Sequence, residues 1–156
     1  MSKVIVYHAG AKDGTFGIES TTYTAGWLPG QLGTLDTTGL KVKVAVTDES
    51  MFVMGDAKTE VSAPPTGSLV TCYYGAGTKL VLDHSVEYAA GTVAAGAGTA
   101  AYKAYNYACE SAVPGQDLYV DSSGKFTTTA TGSVKAKCFQ VPAAANGFSL
   151  GVILRF

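Results

Sequence analysis

Few residues of this chain could do chemistry, and their spacing decides little in its favour. Asp83-His84-Ser85 sets an acid, an imidazole and a hydroxyl in a row, the three groups of a nucleophilic hydrolase. A triad is assembled by the fold, however, and consecutive strand residues point to opposite faces, so this adjacency reads as an ordinary polar strand end. His8, the other histidine, has no partner in the sequence around it. Cys72, Cys109 and Cys138 are an odd number, without CxxC spacing or a neighbouring histidine. They argue against a disulfide scaffold and a zinc site, and for small buried hydrophobes in a reducing cytoplasm. Among twelve acids only Asp48-Glu49 are adjacent, and no calcium loop is spelled out.

Two glycine-rich stretches invite comparison with phosphate cradles. Gly75-Ala76-Gly77-Thr78-Lys79 lacks the spacing of the nucleotide loop and joins strand to strand, while Gly96-Ala97-Gly98-Thr99 has no helix behind it to present an N-terminus. Both read as turns. No catalytic residue, metal ligand or cofactor site is therefore expected, and the chain reads as a non-enzyme. Nine tyrosines and Trp27 remain as recognition groups. They suit core packing first, a subunit interface second and a sugar platform third, because no aromatic ladder runs along one strand.

The elements that would position these residues repeat with a period of two. Leu40–Val46 alternates cleanly, Leu69–Tyr74 more weakly, and 79–83, 117–121, 135–141 and 148–156 supply further strands. Turn signals at 75–77, 114–115, 122–124 and 146–147 arrive at the spacing of a sandwich or barrel. No dozen residues carry a helical stripe. Residues 88–99 read as a long loop, and 100–108 as strand or irregular structure. The expectation is an all-β fold, a β-barrel or β-sandwich of short antiparallel strands. Residues 1–25, with few apolar anchors, read as an extended N-terminal arm lying on a neighbour, and 26–156 as a single β domain.

Charged residues make up only 15% of the 156, against 47% hydrophobic, with 19 glycines. Roughly a quarter charged is usual, so this composition suits a subunit packed against others. Net charge is −1 and the 11 bases are scattered, which excludes a stripe that tracks nucleic acid. Lys135-Ala136-Lys137 fits one face of an exposed strand. The apolar run after Lys3 is too short for a signal peptide, and the low-polarity stretch 88–101 too short to span a bilayer. A soluble protein is expected, without membrane or nucleic-acid partners.

One pattern stands above this background. Residues 28–39, LPGQLGTLDTTG, align without a gap on 113–124, VPGQDLYVDSSG, 85 positions later. Five positions are identical and four more are like for like. Each copy spells a Pro-Gly turn, a strand of four to six residues and an Asp-[Ser/Thr]-[Ser/Thr]-Gly turn. Asp36 and Asp121 are expected to accept backbone N–H bonds, with Gly39 and Gly124 left-handed at the turn's end. The repeat marks two equivalent strand-turn-strand units.

From Gly115 through the Asp121-Ser122-Ser123-Gly124-Lys125 turn to Phe126-Thr127-Thr128, and again over Asn146–Phe156, the pattern resembles the head decoration, or cement, proteins of tailed bacteriophages. Ala25–Gly30 resembles the start of such proteins, whereas Ala136–Gln140 departs from the Val-Gly-x-Ala element that often precedes their last strand. The resemblance implies a non-enzymatic homo-oligomer, trimer or dimer. It would assemble in the host cytoplasm and bind major capsid protein on the outside of the virion head. Capsid contacts are then expected in the arm, such that removing residues 1–20 leaves a folded domain unable to bind heads. The alternatives are a tail, tube or fibre component and a carbohydrate-binding module using Trp27.

Overall fold

Residues 3–6, 12–25, 27, 29–39, 41–45, 49–55, 69–83, 107–109, 111–146 and 149–156 are described by the computed structural model. The expected loop at 88–99, residues 100–106, His8, His84 and Ser85 lie outside them. Strands β1 (Lys3–Val6), β2 (Lys12–Ile18), β3 (Leu32–Leu35), β4 (Lys41–Val44), β5 (Phe52–Met54), β6 (Leu69–Tyr74) and β7 (Lys79–Asp83) lie in the first half. The second half holds β8 (Tyr107–Ala108), β9 (Asp117–Val120), β10 (Phe126–Thr127), β11 (Ala136–Gln140) and β12 (Leu150–Leu154). A single short α-helix, α1 (Ser20–Ala25), follows β2 among the described residues. The fold is all-β, as the period-two pattern predicts.

Two sheets form. One closes into a barrel in the order β2-β4-β3-β5-β6, with β6 returning to β2. The other has seven strands in the order β8-β10-β9-β11-β12-β7-β1. The first five strands of that order repeat the barrel's arrangement: a parallel outer strand, a hairpin, a third strand and a fourth. Duplication thus extends well beyond the twelve aligned residues. The difference lies in closure, since β6 pairs with β2 whereas β12 pairs with β7, which carries β1. Pairing is antiparallel except for β2 with β4 and β8 with β10.

The extended arm expected over 1–25 is not what the structure shows. Lys12–Ile18 pairs with β6 over six positions, from Lys12 opposite Tyr74 to Gly17 opposite Leu69, and with β4 on its other edge. Lys3–Val6 pairs with β7. Both segments are secured through backbone pairing, β2 also burying Ile18 and packing Phe16 on the barrel core, and glycines at 14 and 17 weaken the alternation that would have announced β2. Removing residues 1–20 would therefore open the barrel, so that truncation cannot isolate capsid contacts.

Two cores result. Ile18, Trp27, Val42, Phe52, Met54, Val70 and Cys72 cluster among barrel residues alone, with Phe52 against Phe16 at 4.9 Å and edge-on to Tyr74 at 5.9 Å. Gly33 belongs here because a Cβ would lie 2.8 Å from both Met54 Cγ and Val42 Cγ1. The second core joins the sheets: Leu32, Ala45 and Val53 of the barrel meet Leu80, Leu118, Phe126, Leu150, Leu154 and their neighbours. Each fully buried leucine there contributes about 2 kcal/mol by transfer from water. β5 serves both cores, Phe52 and Met54 in one and Val53 in the other.

Candidate functional site

The repeat's turns have the geometry their residues imply. Gly30 and Gly115 follow the prolines with φ of 100° and 83°, and each donates to a partner strand, Gly30 to Met54 O (2.7 Å) and Gly115 to Cys138 O (2.8 Å). The strand answers in both copies, Met54 N–H to Gln31 O and Cys138 N–H to Gln116 O. At the far end Asp121 Oδ1 accepts the N–H groups of Ser123 (2.8 Å) and Lys125 (2.9 Å), and Asp36 Oδ1 accepts Lys41 N–H (3.2 Å) and the Thr38 hydroxyl (2.7 Å). Gly39 and Gly124 are left-handed, with φ of 71° and 75°. Both acids are turn caps.

What differs is where the turns lie. The second turn docks on the barrel: the Gln31 amide donates to Ser123 O at 2.8 Å and Leu32 N–H to Gly124 O at 2.6 Å. Thr37, Thr38 and Gly39 of the first turn are exposed. The glutamine shared by both copies was visible in the alignment, but its part in joining them was not. Only the three-dimensional placement of Ser123 reveals it.

Groups singled out for chemistry are placed in structural roles. Gly75 and Gly77 are left-handed, and their N–H groups, which a phosphate would need, donate instead to Phe156 O (3.1 Å) and Leu154 O (2.8 Å). Thr78 closes the turn through its hydroxyl to Tyr74 O (3.0 Å). Cys72, Cys109 and Cys138 are buried and in no disulfide. Burial pushes the Cys72 thiol up to about 12 and raises that of Cys138, so neither is a poised thiolate. Among the described residues no cluster of three metal-ligating side chains occurs, and no helix is long and apolar enough to cross a membrane. Trp27 is in the barrel core at 5% exposure, its indole N–H aimed at Gly55 O (3.4 Å), so it presents no stacking face for a sugar.

The outward face of the seven-stranded sheet sets charged and apolar side chains in register. Register places Lys79, Ile153, Lys137 and Asp117 in one row across four strands, with Arg155 and Tyr119 two positions on. Lys137 is paired with Asp117 at 2.5 Å and also donates to Gly115 O at 3.2 Å. Lys137 and its neighbour Lys135 both flank Ala136, which points inward. Phe139 lies over Gly151, where a Cβ would stand 2.9 Å from the ring. Lys79 and Arg155 are exposed, while Ile153 and Tyr119 are half-buried. The face combines Arg155 with apolar and aromatic area, which protein contact surfaces favour, and adds two lysines.

No family model matches the chain. No curated protein matches it either.

Proposed function

We propose that this chain is a structural virion protein, a decoration or cement protein that binds the outside of a tailed-phage head and stabilises it. The observation that carries the reading is the Asp121–Lys125 turn, central to the resemblance, whose capped left-handed form fixes the hairpin of β9 and β10. A protein of this kind needs a rigid body and repeated weak contacts rather than a reactive pocket, and lattice multiplicity turns weak contacts into firm attachment. The barrel and the sheet, sharing one core, supply the rigid body.

The face bearing Lys79, Lys137 and Arg155 is the capsid-facing surface in this reading. Lys137 is paired with Asp117 on this face, whereas Lys79 and Arg155 are exposed, so the complementary capsid surface is acidic. The test is co-sedimentation of purified protein with undecorated heads, followed by heating. Saturable binding that raises the temperature at which heads rupture is expected. Charge reversal at Lys79 and Arg155 together should weaken it, and heads left bare by the parent protein would overturn the proposal.

A further inference from the structure

We propose that Asn146 is a modification site kept shut by the fold. Its side-chain amide converts to a carboxylate, through a cyclic imide formed with Gly147, when the connection between β11 and β12 opens, and the product no longer lets that connection close as before.

Asn146-Gly147 is the turn signal between the last two strands. Asparagine followed by glycine is prone to this chemistry, because a residue without Cβ neither hinders the approach of its own nitrogen to the preceding side chain nor restricts the backbone angles needed. The Gly147 nitrogen bonds to Asn146 Cγ and gives up its proton, the Cγ–Nδ2 bond breaks, and ammonia leaves with that proton. Water then opens the imide at either carbonyl, leaving an aspartyl or an isoaspartyl residue.

In the folded chain the amide is held at both ends. Its Oδ1 accepts the N–H groups of Ala143 (3.0 Å) and Ser149 (3.1 Å), and its Nδ2, the leaving group, donates to Val141 O (2.8 Å). The Asn146 N–H closes the 3-10 turn Ala144–Asn146 on Ala143 O at 3.0 Å. One side chain therefore binds the residue after β11, the turn itself and the residue that enters β12. The Gln140 amide, donating to Ser149 O at 3.3 Å, is a second tie across the same connection. Asn146 is only half-buried, so water reaches it, and what withholds reaction is the three hydrogen bonds that must first be given up.

The change runs one way. A carboxylate has no proton to donate, so Val141 O would face an oxygen where it now meets an N–H donor. The isoaspartyl product also carries an extra backbone carbon, which shifts Ser149 away from its present bonds. Strand β12, entered there, supplies Leu150, Val152 and Leu154 to the core that joins the sheets. Nothing in this chemistry depends on what the protein binds.

Site-resolved mass spectrometry of the full chain, incubated at neutral pH with and without urea, tests the proposal. Conversion at Asn146, read as amide exchanged for hydroxyl, is expected to be about tenfold or more slower in the native chain, because its rate follows the population of the open form. Gln140→Ala, which removes the second tie, should speed native conversion and leave the rate in urea unchanged. Asn146→Asp, which installs the product, should melt below the parent. A native chain that converts as fast as the denatured one, or a Gln140→Ala chain no faster than the parent, overturns the guard. An Asn146→Asp chain as stable as the parent overturns the one-way change, and a denatured chain that does not convert overturns the site.

Discussion

The side-chain amide of Gln31 donates to the backbone carbonyl of Ser123, 2.8 Å away and 92 positions along the chain. Each residue belongs to a different copy of the repeat, so the duplicated segments are joined to one another rather than merely alike. Gln31 is 9% exposed, which makes the bond costly to lose. It ties the barrel to the seven-stranded sheet beside the core that both share.

The two left-handed glycines give the sharpest test of this arrangement. Gly39→Ala meets open space and carries only the backbone cost of a left-handed alanine, about 1 kcal/mol. Gly124→Ala adds a collision with Val44 and with the carbonyls of Ala45 and Leu32, for a total of about 3 kcal/mol. Urea denaturation of the two variants should show the second losing clearly more stability. Equal losses would contradict the docked turn.

How much of this was legible follows from which faces are buried. β9 half-buries every second residue, with Leu118 and Val120 inward, and its alternation was plain; β6 and β11 alternate in the same way, while β7 and β12 showed as short apolar runs. β5 was hidden because Phe52, Val53 and Met54 are all buried, between two cores, and a strand covered on both faces loses its period. β1 and β2 are secured by pairing with distant strands, which no local pattern reports. Helix α1 has only six residues, Ser-Thr-Thr-Tyr-Thr-Ala, too few for a stripe. Where the two copies meet, the shared glutamine and glycine were on view, but only topology shows Gln31 and Leu32 joined to the turn that ends at Gly124.

The thiols give a second prediction. With Cys72 pushed up to about 12 and all three cysteines buried, a thiol reagent at neutral pH should modify none of them in the native protein. In denaturant all three should react. Rapid native labelling of Cys72 would show that the barrel core opens more readily than its packing implies.

Ser50 is buried at 5% exposure, and its hydroxyl has no hydrogen-bond partner among the described residues. Burying an unpaired hydroxyl costs about 1–3 kcal/mol, whereas removing it leaves only a small void. Ser50→Ala is therefore expected to be neutral or to stabilise by about 1 kcal/mol, read from the denaturation midpoint at unchanged slope. A loss above that size would reveal a bond to the hydroxyl in solution.

Glu19 supplies the pH dependence. Its carboxylate receives the Thr21 hydroxyl, the N–H groups of Thr22 (3.1 Å) and Thr21 (2.9 Å), and the Ser20 hydroxyl (3.1 Å), so it caps the first turn of α1. Those bonds, the Thr21 hydroxyl first, lower its pKa from 4.5 to about 2. A carboxyl depressed by folding stabilises the native state fully above the unfolded value of 4.5, and that contribution fades as pH falls toward 2. Helix α1 is held to β4 through Val44 N–H, which donates to the Thr22 hydroxyl at 3.3 Å, so the cap also bears on the barrel wall. Melting temperatures of the parent chain and Glu19→Gln, measured from pH 6 to pH 2, should therefore converge on acidification, with the gap widest above 4.5. Carboxyl NMR titration checks the cause directly: a Glu19 midpoint near 4.5 would refute the capping role, and one near 2 would establish it.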